Sequence, residues 1–195
     1  MSDCDVFQLE LRRRKRHQSD TRTRLLDSTV GLLRESSFDG LSVGAAAKRA
    51  GVSAANATEM FSSKNELVVE ICLRRIRGVA LSTDAPHGSI ARVAAQLSQM
   101  MLVVAEEPAV AKACAAVYLD SGTSAAQARE LIGAEIHRLI ASAVGPGSWP
   151  EVITTLELVF SGALIQAAAG SMTFDCAADR MQTAVSLILD GVPRH

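Results

Sequence analysis

From Asp20 to Asp190 the apolar residues recur every three or four positions, and no segment alternates with strict period two. That pattern confines the chain to helices, because a helix turns once per 3.6 residues whereas a half-buried strand needs alternation. Composition agrees. Ala and Leu are abundant, aromatics make up 4% and prolines number five, a mix that suits helices better than sheets. The expected fold class is all-α, with about nine helices. With 48% apolar residues in 195, disorder throughout is excluded, and the chain is long enough to bury a core without disulfide or metal staples.

Turn signals cut this pattern into segments. Residues 1–18, with the run Arg12-Arg13-Arg14-Lys15-Arg16, read as a flexible, solvated basic arm. Leu26, Val30 and Leu33 mark a first helix beginning near Asp20, which Gly40 follows. Ser42 is placed to cap a short second helix, and Ser53 a third that runs to about Phe61. A fourth starts at Ser63, and the turn-rich stretch Ser82–Gly88 closes it off. Five more apolar-periodic segments follow. The predicted domains are the arm at 1–18, a helical unit at 19–66 and a larger one at 67–195. Residues 1–77 hold 14 Lys+Arg against 10 Asp+Glu, whereas the remainder holds 6 against 11. A basic front and an acidic back point to a polyanion met by the front alone.

The segment Ser42–Leu67 carries the most specific information. Two short helices are joined by Ala50-Gly51-Val52-Ser53. Gly51 supplies a backbone conformation that a β-carbon opposes, Val52 can lock the helices together, and Ser53 caps the second. This is the logic of a helix-turn-helix whose second helix enters the major groove. The sequence here resembles the TetR family of bacterial transcriptional regulators. The matching residues are Ala50-Gly51-Val52-Ser53, Phe61 and Ser63-Lys64-Asn65-Glu66-Leu67, with Phe38-Asp39-Gly40-Leu41-Ser42-Val43 upstream, covering about residues 22–70. Members usually carry Tyr where Thr58 stands and an aromatic or His where Met60 stands, and Glu59 adds a negative charge close to the DNA face.

The resemblance implies a homodimeric, ligand-responsive regulator, most often a repressor released from a palindromic operator by a small molecule. It places Ser42, the amide of Val43 and Lys64 on phosphate, and Ser53, Ala54, Ala55, Asn56 and Thr58 on the reading helix. Asn56 is the candidate base reader, since its amide can pair with adenine. Arg22 and Arg24 could hold the backbone or the minor groove. The last two helices would form the dimer interface through Val152, Leu156, Val159, Phe160, Ala163, Leu164, Ala167, Met181, Val185 and Ile188. The middle helices would enclose an apolar or weakly polar effector, with Met100, Met101, Cys114, Tyr118, His137 and Phe160 as candidates. A second reading, a helical dimer binding a small molecule or protein without specific DNA binding, rests on Ala57-Thr58-Glu59-Met60.

Enzyme chemistry is not expected. The chain has no GxSxG, HExxH, P-loop or GxGxxG motif. Cys114 and His137 fall on separate helices, and His17, His87 and His195 form no cluster. Cysteines 4, 72, 114 and 176 show neither CxxC nor metal-ligand spacing, so reduced thiols, no metal and no cofactor are expected. Asp3 and Asp5 open the chain without an apolar run after the basic one, and the apolar stretch Leu158–Ala169 is short and holds Ser161 and Gln166. The sequence therefore predicts no signal peptide, no membrane span and a cytoplasmic protein.

Overall fold

The computed structural model describes residues 3–191, with the side chains of 3–12, 14 and 15 left aside. Positions 1–2 of the expected arm, and 192–195 with His195, lie outside the described residues. The described residues form nine α-helices and no strand: α1 (Asp3–Glu35), α2 (Val43–Ala50), α3 (Ala54–Met60), α4 (Lys64–Arg77), α5 (Ile90–Ala105), α6 (Pro108–Leu119), α7 (Thr123–Val144), α8 (Pro150–Ala168) and α9 (Phe174–Asp190). A single 3-10 turn, Phe38–Gly40, joins α1 to α2. The chain divides into two compact units, Met1–Leu67 and Val68–His195.

The arm expected to be separate from the first helix is instead part of it, since α1 is one helix of 33 residues. Neither Gly nor Pro occurs before Gly31, and Arg, Lys, Gln, Glu and Leu are strong helix formers. Backbone preference outweighs the repulsion within the basic run. In the first unit Leu25, Leu26, Thr29 and Leu33 of α1 are buried with Leu41, Ala46, Ala47, Ala50, Ala57, Phe61 and Leu67. The alanines of α2 bring it close to both α1 and α3. Gly31 allows one further close approach. A Cβ there would lie 2.8 Å from Nη2 of Arg49, whose guanidinium crosses α1 to reach both oxygens of Glu35 at 2.5 and 2.7 Å. That hydrogen bonding from Arg49 holds the Glu35 carboxyl below its ordinary range.

In the second unit α5 packs on α6, α7 and α9, while α8 packs on α6, α7 and α9. Val93, Leu97, Met100 and Met101 of α5, Leu139 and Ile140 of α7 and Leu156 and Phe160 of α8 are almost wholly buried. Side chains of α5 also tie down the turn-rich connection before it. The Ser82 amide donates to Gln96 Oε1 (2.8 Å), Gln96 Nε2 donates to the Ala80 carbonyl (3.3 Å) and Arg92 Nη1 to that of Ala85 (3.0 Å).

One expectation changes here. Cys72 of α4 and Cys114 of α6 form a disulfide with 6.8 Å between Cα atoms, while Cys176 is free. Spacing of 42 residues gave no hint of it, because the pairing joins two helices distant in sequence. α8 is longer than the apolar run within it. At 19 residues and mean hydropathy 1.3 it is long and apolar enough to cross a membrane by length and composition alone, a test that core helices also pass, and here it packs against α6, α7 and α9.

Glu135 of α7 accepts from Arg77 Nε (2.7 Å) and Arg138 Nε (2.8 Å). Hydrogen bonds from these two arginines lower its pKa. A depressed carboxyl contributes stability above its unfolded pKa and loses it as pH falls through the folded value. Glu135→Gln is therefore expected to cost about 0.5–1 kcal/mol at neutral pH. Thermal melts of both proteins should converge as the pH falls below 4 or so, past the ordinary carboxylate range.

Candidate functional site

The junction between α2 and α3 is built by backbone geometry. Gly51 sits at φ 62°, ψ 38°, the left-handed region. From there its N–H donates to the Lys48 carbonyl (3.3 Å), and that of Val52 to the Ala47 carbonyl (3.0 Å). This paired closure ends α2 as glycine commonly ends helices. Ser42 Oγ accepts from the Ala45 amide (3.1 Å) and Ser53 Oγ from that of Asn56 (3.3 Å), so each serine caps its helix as its place in the sequence suggests. Ser63 Oγ accepts from the Glu66 amide (3.2 Å), while the Glu66 carboxylate takes the Ser62 amide (2.7 Å) and hydroxyl (2.5 Å). The chain thus leaves α3 through a fixed turn.

Ala57 is fully buried and seats α3 on the unit. Ala54, Ala55, Asn56, Thr58 and Glu59 are all exposed, so the residues assigned to reading share one open face. Thr58 Oγ1 donates back to the Ala54 carbonyl (2.8 Å), leaving lone pairs but no proton for an outside partner.

The cations are placed differently from the expectation. Arg24 reaches from α1 to the carbonyls of Ala50 and Gly51, the latter at 3.3 Å. It caps the C-terminal end of α2, where a positive charge is favoured. The Lys64 ammonium donates to the Phe38 carbonyl (3.0 Å), lies 3.4 Å from that of Asp39 and stands 4.3 Å above the Phe38 ring. Arg22 lies 4.8 Å above the Phe61 ring. All three side chains hold carbonyls or rings of their own unit, Arg24 from an exposed position and Arg22 and Lys64 from half-buried ones. Sequence reasoning treated cations near the helix starts as surface charges, because a hydrogen bond across 26 residues leaves no local trace.

Other basic residues occupy the open surface. Lys48, Arg13 and Arg16 are exposed. Arg13, His17, Gln18, Thr21 and Arg22 of α1 face Asn56, Glu59 and Met60 of α3 across an open groove of about 980 Å³. Helical continuity through the basic run puts Arg13 and His17 beside the reading face, a placement that a mobile arm would not give.

The second unit holds an apolar cavity of about 50 Å³. Cys114 and Tyr118, two of the effector candidates, line it, and so does Leu164, a candidate for the dimer interface. Cys72, Ile76, Ile132 and Ile136 are lining residues that sequence reasoning missed. Met100, Met101 and Phe160 are buried in the core and do not line it. His137 is exposed and lies 2.6 Å from Glu157 of α8. Arg75 lines the same cavity, but its guanidinium is held by the Val103 carbonyl (3.3 Å) and by Glu106 (3.4 Å) and Glu107 (3.7 Å).

The expected interface on α8 and α9 also needs correction. Val152, Leu156, Phe160, Ala163, Ala167, Met181 and Val185 are buried within the unit's own core, so they have almost no surface left to offer another chain. Val159 and Ile188 are half-buried. Leu158 and Leu187, neither of them singled out from the sequence, are 74% and 73% exposed. An all-round apolar helix such as α8 conceals in its sequence which side faces outward.

Substitution separates the bracing residues from the reading face. Arg24→Ala should cost about 1–2 kcal/mol of stability, since it strips a charged hydrogen bond from two carbonyls. Asn56→Ala should leave the melting temperature unchanged and cost about 1–3 kcal/mol of discrimination at one base pair. Glu59→Gln should tighten binding to all duplexes. Calorimetric melting beside fluorescence anisotropy on duplex DNA reads all three.

The geometry agrees with comparisons to known proteins. Residues 25–71 match the family model described as bacterial regulatory proteins, tetR family. The chain is 43% identical over 180 residues to the HTH-type transcriptional regulators Mb0790c of Mycobacterium bovis and Rv0767c of Mycobacterium tuberculosis, spanning 91% of this chain and 84% of each relative. It is 26% identical over 129 residues to the HTH-type transcriptional repressor KstR of Rhodococcus jostii, across 65% of this chain and 61% of that one. A TetR transcriptional regulator from Rhodococcus sp. RHA1 shares the fold with TM-score 0.72 and 20% identity, over 91% of this chain and 99% of its own. The chain belongs to the TetR family of bacterial transcriptional regulators, which bind DNA through a helix-turn-helix and are not enzymes.

Proposed function

We propose that this regulator is a cytoplasmic homodimer that represses transcription from a palindromic operator and is released by a small apolar effector. The observation that carries the reading is the exposed face of α3, Ala54, Ala55, Asn56 and Thr58, held on the braced turn at Gly51. A helix is about 10–12 Å across and the major groove about 12 Å wide, so small residues at 54 and 55 favour close approach. In this reading Asn56 reads a base, Ser42, the Val43 amide and Ser53 meet phosphate, and Lys48, Arg13 and His17 add to the charge on the backbone. Arg22, Arg24 and Lys64 act as positioning residues. The alternative of a helical dimer without DNA binding has family membership against it.

One copy reads one half-site, so a palindrome requires two. Leu158 and Leu187, each about three-quarters exposed on α8 and α9, supply apolar surface for the second copy. Repression is supported by the similarity to KstR, which is named a repressor. The apolar cavity, whose one guanidinium is already held by carboxylates, favours a neutral effector. At about 50 Å³ it is far below the roughly 300–1,000 Å³ of ordinary ligand sites, so binding must enlarge it. By linkage, an effector that releases DNA binds the DNA-incompetent state more tightly.

Selection from random duplex DNA tests the reading. Enrichment of a palindrome with half-sites about one helical turn apart is expected, with affinity that falls steeply as salt rises. No enrichment by folded protein would overturn it. Leu158→Glu with Leu187→Glu should give a monomer in sedimentation and abolish selection of the palindrome. A dimer that survives both changes would remove these residues from the interface.

A further inference from the structure

We propose that Cys72 and Cys114 are a redox-reversible pair in the wall of the cavity, closed by hydroperoxides and opened by thiols, and that only the open form admits an apolar ligand. The two sulfurs join α4 to α6, and both residues line the same apolar space. Cys72 is buried, whereas Cys114 is half-buried and opens to the cavity, which gives a small oxidant or thiol a route to it. The open state has a partner ready: Cys114 Sγ lies 4.0 Å from the Val68 carbonyl, to which a thiol can donate.

Location in the cell supplies the second argument, and it rests on the DNA-binding reading. Bacterial DNA shares its compartment with low-molecular-weight thiols, where a disulfide is usually transient or sensory. Nor does the unit need the bond to hold its core, since α5, α7, α8 and α9 bury a full set of aliphatic side chains. Closure fixes the α4–α6 wall around a cavity of about 50 Å³. Opening frees the two helices to part as a ligand enters.

The chemistry balances within the pair. The Cys114 thiolate attacks the outer oxygen of a hydroperoxide and the O–O bond breaks. This leaves a sulfenic acid on Cys114 and releases water or an alcohol. The Cys72 thiolate then attacks the sulfenic sulfur, an S–S bond forms and the hydroxyl departs as water. The two thiols have lost two electrons and the peroxide has gained them. Two glutathione molecules reverse the change by successive exchange and leave as glutathione disulfide.

The test uses the full chain in glutathione buffers graded from fully reduced to fully oxidised. Samples are quenched in acid, denatured, alkylated with N-ethylmaleimide and weighed. The expected result is a reversible difference of two alkylated cysteines, mapping to the peptides that hold Cys72 and Cys114. A pair closed throughout, a pair open throughout or a cross-link to Cys4 or Cys176 overturns the proposal. Uptake of the neutral probe N-phenyl-1-naphthylamine, read by fluorescence, should be tighter for the open form by about fivefold or more. Equal uptake overturns the gating. Cys114→Ala should bind the probe whether or not peroxide is present, and Cys72→Ala replaces it if the first variant does not fold. Neither readout uses DNA, so failure here leaves the operator reading intact, and failure of DNA selection leaves these results readable.

Discussion

The guanidinium of Arg24 sits on the carbonyls of Ala50 and Gly51, where a helix of only eight residues has to stop. So short a helix is marginal by itself, because nucleation is costly and few bonds repay it. Its final carbonyls must find donors. Two come from the backbone of Gly51 and Val52, and Arg24 of α1 supplies the one for Ala50. The positive charge also lies at the negative end of the peptide dipoles. Once that end is fixed, the direction of the chain through Val52 is fixed, and with it the start of α3 at Ser53. The exposed face of α3 is thus oriented by a side chain that, though itself exposed, folds back onto the end of α2.

The same economy runs through the first unit. Arg22 lies on Phe61 and Lys64 on Phe38, so aromatic rings and carbonyls hold cations that the sequence suggested were free for phosphate. Sequence reading succeeded where the cause was local. The left-handed residue at Gly51, the caps at Ser42 and Ser53 and the buried position of Ala57 follow from neighbours within a turn or two. It gave no sign of contacts in which a side chain reaches across the fold. Arg24, Lys64 and the disulfide all join residues more than 20 positions apart.

In the second unit the failure has another source. Helices α5, α7 and α8 carry apolar residues over much of their circumference, and periodicity alone does not divide core from surface on such helices. Met100, Met101 and Phe160 therefore looked like pocket residues and proved to be core. Leu158 and Leu187 looked unremarkable and proved to be the most exposed large apolar side chains described. The cavity is small because the bonded Cys72–Cys114 pair and a ring of aliphatic residues close on it. On the proposed reading, its near-absence of polar lining would leave shape, rather than hydrogen bonding, to discriminate among ligands.

Gly31 has a consequence for how this sequence can change over generations. Its missing β-carbon leaves the space through which Arg49 crosses to Glu35. A side chain at 31 would displace only the far end of that exposed and flexible arginine. The guanidinium can shift to make room, so a residue larger than glycine at 31 loosens the hold on Glu35 rather than the packing of α1. Change at 31 is therefore felt first at the Arg49–Glu35 pair and not in the core.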